Sequence, residues 1–164
     1  MPQYTAAVIT ASDKGAAGER EDLSGKLLIE LLKKEGFVIE DYSIIADERE
    51  LLSQKLRYLS DELKVTLVLT TGGTGFSPRD ITPEATLDVV ERLTPGIPEA
   101  MRLASLKITS KAMLSRATAG IRGKSLIINM PGSPKAVKES FEAILEALPH
   151  GIDIMMSQAS ECAR

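Results

Sequence analysis

Apolar positions along this chain fall into two alternating kinds of segment. Residues 5–11 (TAAVITA) form a short continuous apolar run, which reads as a strand buried on both faces. Residues 23–35 then place Leu23, Leu27, Leu28, Leu31 and Leu32 on one helical face, and Gly36 supplies a stop. Residues 37–46 (FVIEDYSIIA) return to strand character. Leu52, Leu56, Leu59 and Leu63 repeat at spacings of 4, 3 and 4, a helical stripe that begins just after Asp47. Residues 65–71 (VTLVLTT) are another continuous apolar strand. Strands buried on both faces and joined by helices require parallel pairing with right-handed crossovers. The expected fold class is therefore α/β, a three-layer sandwich with a mostly parallel central sheet.

The second half is punctuated by glycine and proline. Gly72–Asp80 (GGTGFSPRD) reads as a loop. Thr82-Pro83-Glu84 predicts a helix start, with Thr82 as N-cap and Pro83 at the first helical position, in a helix ending before Pro95-Gly96. Pro98 is expected to open another helix toward Ile108. Residues 117–121 and 124–130 resemble two strands about a tight Arg122-Gly123 turn. Ser133 and Pro134 repeat the capping logic for a helix carrying Val137, Phe141, Ile144, Leu145 and Leu148. No repeat or low-complexity tract interrupts this order. A chain of 164 residues fits one domain over 1–164, able to bury roughly two-thirds of its unfolded surface.

Composition narrows the chemistry. Lys+Arg 20 against Asp+Glu 23 gives a net charge of −3, with 4% aromatic residues and no Trp. Neither a basic stripe nor a stacking platform is present, which argues against nucleic acid as a partner. Cys162 and His150 are the only residues of their kinds, so a disulfide, a thiolate cluster and a zinc site of the usual type are all out of reach. Both are read as bystanders to catalysis. The start lacks the basic region of a signal peptide, and no run of 18 apolar residues exists, so no membrane contact is expected and the cytoplasm is the expected location.

Ligands of open parallel sheets bind outside the carboxyl ends of the strands. Four segments are expected there: Thr10-Ala11-Ser12-Asp13 with the loop to Asp22, then Asp47, then Gly72–Asp80, then Pro131-Gly132-Ser133-Pro134. Gly72, Gly73 and Gly75 suit a backbone that cradles phosphate, or equally a plain tight turn. Neither GxxxxGK[ST] nor GxGxxG is satisfied, since Pro78 stands where the third glycine would be. Asp47 and Asp80 offer hard oxygens for Mg²⁺, and each also reads as a cap, Asp47 for the helix over 48–63 and Asp80 for the next turn. Arg79, Arg116, Arg122, Lys124 and Lys135 are the cations beside these loops. Ser12 lies at a strand end, whereas Ser105 and Ser115 carry no local distinction.

Three blocks carry a resemblance: VITASDKGAAGEREDLSG (8–25), LTTGGTGFSPRDITPEAT (69–86) and SLKITSKAMLSRATAGIRGKSLIINMPGSPKAV (105–137). Together they resemble the MogA/gephyrin G-domain family of molybdopterin adenylyltransferases, including the G domain of the plant molybdenum insertase. The resemblance spans nearly the whole chain in order. It implies transfer of AMP from ATP to the terminal phosphate of molybdopterin, release of pyrophosphate, a need for Mg²⁺, and a homotrimer. By the same resemblance, Asp47 and Asp80 serve Mg²⁺ and nucleotide placement, and Gly72, Gly73, Thr74 and Gly75 bind the nucleotide phosphates. Pro131, Gly132, Ser133 and Pro134 line the adenosine side. Ser12, Asp22, Ser105, Ser115 and Asn129 match positions that contact the pterin or its adenylylated form. The chain stops at Arg164 without a second domain of the metal-inserting type, so insertion is expected of a separate insertase downstream. The competing expectations are a MoaB-like protein that binds the pterin without catalysis, and a nucleotide-binding module with another acceptor.

Overall fold

A computed structural model describes residues 3–157; Cys162 lies outside them. Four strands run parallel in the order β2 (Val38–Ile45), β1 (Thr5–Ala11), β3 (Leu67–Thr71) and β6 (Ser125–Met130). Two antiparallel strands complete that edge: β5 (Ala119–Arg122) beside β6, then β4 (Arg92–Leu93). The chain steps outward from β1 to β2 and returns across β1 to β3. This reversal of strand order opens a crevice between the carboxyl ends of β1 and β3.

Strand periodicity divides the apolar residues between two cores. Ala6, Val8, Leu67, Leu69, Leu126 and Ile128 face one side, against α2 (Leu23–Lys34), α5 (Gly96–Leu106), α6 (Pro134–Leu145) and α7 (Leu148–Met155). Ala7, Ile9, Val68 and Ile127 face the other, against α3 (Arg49–Arg57) and α4 (Thr82–Leu87). Helices cover both faces of a sheet whose central strands are parallel. The three-layer expectation holds.

Local departures have local causes. Leu52, Leu56 and Leu59 are buried, but α3 runs into a π-helical turn at Tyr58–Glu62, where Leu63 N–H donates to the Tyr58 carbonyl. The wider turn shifts the helical phase, and Leu63 faces solvent. Thr82 is not a cap: Ile81 holds that position, and the Thr82 hydroxyl donates to the Gly72 carbonyl at 2.9 Å. Helix α4 stops at Leu87, well short of Pro95, and part of the expected helix becomes β4. Helix α5 starts at Gly96, two residues before Pro98. The β5–β6 turn lies at Gly123-Lys124, one residue later than expected. Ser133 does cap α6, accepting from Ala136 N–H, although Leu148 belongs to α7. Short helix α1 (Asp13–Ala16) and a 3₁₀ turn at Ser110–Leu114 complete the structure. Among the described residues, no helix is long and apolar enough to cross a membrane.

Candidate active site

The crevice at the ends of β1 and β3 is a cavity of about 550 Å³. Its floor is the start of the glycine-rich loop, and that loop is built rather than loose. Gly72 and Gly73 hold φ of 91° and 71°, which side-chain-bearing residues rarely adopt. A Cβ on Gly72 would stand 2.5 Å from the Ala11 carbonyl, and one on Gly73 would stand 2.3 Å from the Thr82 hydroxyl. Only glycine lets the backbone pass here. Thr71 donates through its hydroxyl to the Pro131 carbonyl at 2.6 Å, which ties this loop to the one after β6.

Arg116 fixes the far half of the loop. Its guanidinium donates to the carbonyls of Gly75 (2.8 Å) and Asp80 (2.7 Å) and pairs with the Glu84 carboxylate at 2.8 Å. Its backbone N–H donates to the Thr74 carbonyl. Arg116 holds the Glu84 carboxyl below the usual range.

Two aspartates brace each other at the cavity wall. Asp13 N–H donates to Asp47 Oδ2 and Asp47 N–H donates to Asp13 Oδ1, both at 2.9 Å. Asp47 is therefore not the cap of α3; Glu48 stands at that position without a side-chain bond. Asp47 Oδ1 is buried and has no hydrogen-bond partner among the described residues. Burial foremost, with the charges of Asp13 and Asp80, raises the Asp47 carboxyl above its ordinary range. Asp80 accepts from Ser77 N–H at 3.0 Å and also faces the cavity. Arg79 grips Asp13 at 2.9 Å and Glu48 at 3.1 Å, and its fork holds the Asp13 carboxyl low.

An orphaned, partly desolvated carboxylate oxygen with a second carboxylate close by suits a hard divalent cation. Among the described residues, no group of three or more His, Cys, Asp or Glu could hold a metal alone. The donor set therefore fits Mg²⁺ bound jointly with ligand oxygens, not a closed structural site.

A second cavity, of about 300 Å³, lies on the other side of the glycine-rich loop. Thr74, Gly75, Ser105, Ser115 and Pro131 line it, whereas Ser12, Asp22, Gly72, Gly73, Gly132, Ser133 and Pro134 line the first. The positions expected to share one pterin are thus divided. Ser12 accepts from Gly15 N–H as the cap of α1. Asp22 caps α2, accepting from Gly25 N–H (2.9 Å), the Thr10 hydroxyl (2.6 Å) and the Tyr42 hydroxyl. Burial, together with this acceptor, pushes the Tyr42 phenol well above its ordinary range.

Asn129 corrects an expectation. Its side chain is fully buried, donates to the hydroxyls of Thr70 (3.0 Å) and Thr86 (2.8 Å), and accepts from Thr118 N–H. It knits sheet to helix and reaches neither cavity. Arg122 pairs with Asp61, Lys124 sits in the β5–β6 turn, and Lys135 lines neither cavity. Sequence reasoning missed Arg20 in the first cavity and Arg102 and Lys111 in the second. Arg102 donates to the carbonyls of Ser115 and Ala117, and no periodic signal marks that link.

A family model described as "Probable molybdopterin binding domain" matches residues 7–150. The chain is 47% identical over 153 residues to a molybdopterin adenylyltransferase of Helicobacter pylori (strain J99), covering 91% of this chain and 86% of that protein. It is 41% identical over 152 residues to a molybdopterin adenylyltransferase of Escherichia coli K12, covering 88% and 77%. The solved structure of the molybdopterin biosynthesis enzyme MoaB from Thermus thermophilus superposes with a TM-score of 0.90 at 42% identity, over 94% of this chain and 98% of that one. With sequence and fold in agreement, the chain belongs to the molybdopterin-binding domain family of molybdenum cofactor biosynthesis.

Proposed function

We propose that this protein is a molybdopterin adenylyltransferase, which transfers AMP from ATP to the terminal phosphate of molybdopterin and releases pyrophosphate. The observation that carries this reading is a pair of cavities sharing one glycine-rich wall, with the unpartnered Asp47 oxygen in one of them. The first cavity takes ATP. Backbone at Gly72 and Gly73 approaches its phosphates, and the N-terminus of α6 at Ser133 and Pro134 favours negative charge. The second cavity takes the pterin, with Ser105 and Ser115 as hydroxyl partners and Arg102 and Lys111 supplying positive charge.

Asp47 and Asp80 would hold Mg²⁺, which supplies charge neutralisation at the phosphate oxygens. A phosphate monoester is already a competent nucleophile, so the protein's task is to align it and exclude water. Arg116 serves this by holding the Gly75 and Asp80 backbone in one piece. The same reading has the protein as a cytoplasmic homotrimer that hands its product to an insertase; light scattering tests the trimer.

The deciding experiment mixes protein, ATP, Mg²⁺ and molybdopterin and follows pyrophosphate, omitting each component in turn. Release that requires all of them, with adenylylated pterin seen by mass spectrometry, is the expected outcome. Asp80→Asn should lower turnover by about a hundredfold or more while leaving pterin affinity within about twofold, since removing one electrostatic partner of the transition state typically has this effect. Tight pterin binding without release would instead favour the MoaB-like binding reading.

A further inference from the structure

Charge around the first cavity is lopsided. Glu21, Asp22, Asp47 and Asp80 line it, and Arg20 is the one cation among the described residues that do so. The other arginines at this edge are already committed, Arg79 to Asp13 and Glu48, Arg116 to Glu84 and two carbonyls. Arg20, by contrast, has neither a hydrogen bond nor an ion pair within the described residues, even though Glu21 beside it is paired with Lys26 at 3.2 Å. A guanidinium fork left unpaired at a cavity mouth, among carboxylates it does not engage, has its donors available for a ligand.

We propose that Arg20 binds the terminal phosphates of the nucleotide and holds pyrophosphate as it departs. This rests on the adenylyltransferase reading. A triphosphate stays anionic after one divalent cation is counted, and the cavity's carboxylates would repel the excess. In the transfer, a phosphate oxygen of the pterin forms a bond to the α-phosphorus of ATP. The bond from that phosphorus to the bridging oxygen breaks, and its electron pair leaves on pyrophosphate. Negative charge therefore grows on the β-phosphate oxygens, where a bidentate Arg20 contact strengthens as the bond breaks. Arg20 sits in the segment between α1 and α2, which borders the cavity apart from the loop after β6. It is a leaving-group residue and has no part in holding adenosine or pterin.

Calorimetric titration of the full chain tests this, using ATP, AMP and inorganic pyrophosphate as separate probes with MgCl₂ present. Arg20→Ala should weaken ATP and pyrophosphate about tenfold or more, the size of a lost charge-assisted hydrogen-bond pair, with AMP held within about twofold. Arg20→Lys should recover part of the loss, and the salt dependence of ATP binding should become shallower in Arg20→Ala. Thermal unfolding of both variants should match the wild type, since Arg20 makes no hydrogen bond or ion pair within the described residues. Wild-type ATP binding that Arg20→Ala leaves intact would overturn the role of Arg20 alone. Equal weakening of ATP and AMP would overturn it too. Failure of the wild type to bind ATP at all would remove both this role and the adenylyltransferase reading.

Discussion

Asp47 presents two oxygens with opposite fates. Oδ2 is tied to Asp13 N–H, whereas Oδ1 is buried without a partner among the described residues. A carboxyl whose affinity for protons is higher folded than unfolded costs stability once it is ionised. The cost is absent below the ordinary carboxylate range, where both states are protonated. It develops as pH rises through that range toward the raised folded value, and persists at neutrality. Asp47→Asn should therefore melt higher than the wild type at neutral pH, on the order of 2 °C, with the gain vanishing in acid; calorimetry across pH checks this. The same variant should lose turnover in the pyrophosphate assay. A variant that is less stable yet keeps wild-type turnover would show that Asp47 serves the fold alone.

At the scale of elements, the glycine-rich loop is tightly constrained. Gly73→Ala puts a methyl group against the Thr82 hydroxyl and forces alanine into left-handed backbone, costing about 1–2 kcal/mol for the backbone alone. Urea unfolding should register that loss, and ATP affinity should fall further than pterin affinity because Gly73 lines only the first cavity. Elements that announce themselves in sequence are those whose signal is local. The apolar runs of β1, β3 and β6 and the Ser133-Pro134 start of α6 are of this kind. Helix α4 misleads because the Thr82 hydroxyl, suited to a cap, is drawn to a carbonyl ten residues back. Strand β4 is two exposed residues with no apolar pattern to read. The site residues divide the same way. Asp47, Gly72 and Gly73 stand just past strand ends, Asp80 lies in the loop that follows β3, and all are legible. The partners of Arg116 and Asn129 lie 32 and 43 residues away, and nothing in the spacing links them.

Across the whole molecule, a sheet that reverses strand order opens a crevice, and helices on both faces hold its rim. The glycine-rich loop crosses that rim with Gly72 and Gly73 toward one cavity and Thr74 and Gly75 toward the other. In the proposed reading, one short stretch of backbone thus has two ligands as neighbours. Because Arg116 and Thr71 brace that stretch as one piece, a shift that either ligand imposes on it reaches the other cavity, and each ligand makes the other's arrival easier. Thermodynamic linkage then requires the two effects to be equal. Saturating molybdopterin should tighten a non-hydrolysable ATP analogue by about fivefold or more, and the analogue should tighten molybdopterin by the same factor. Affinities that ignore each other would mean that the wall is rigid before either ligand binds. With linkage present, the proposed enzyme would loosen its hold on either substrate when the other runs short.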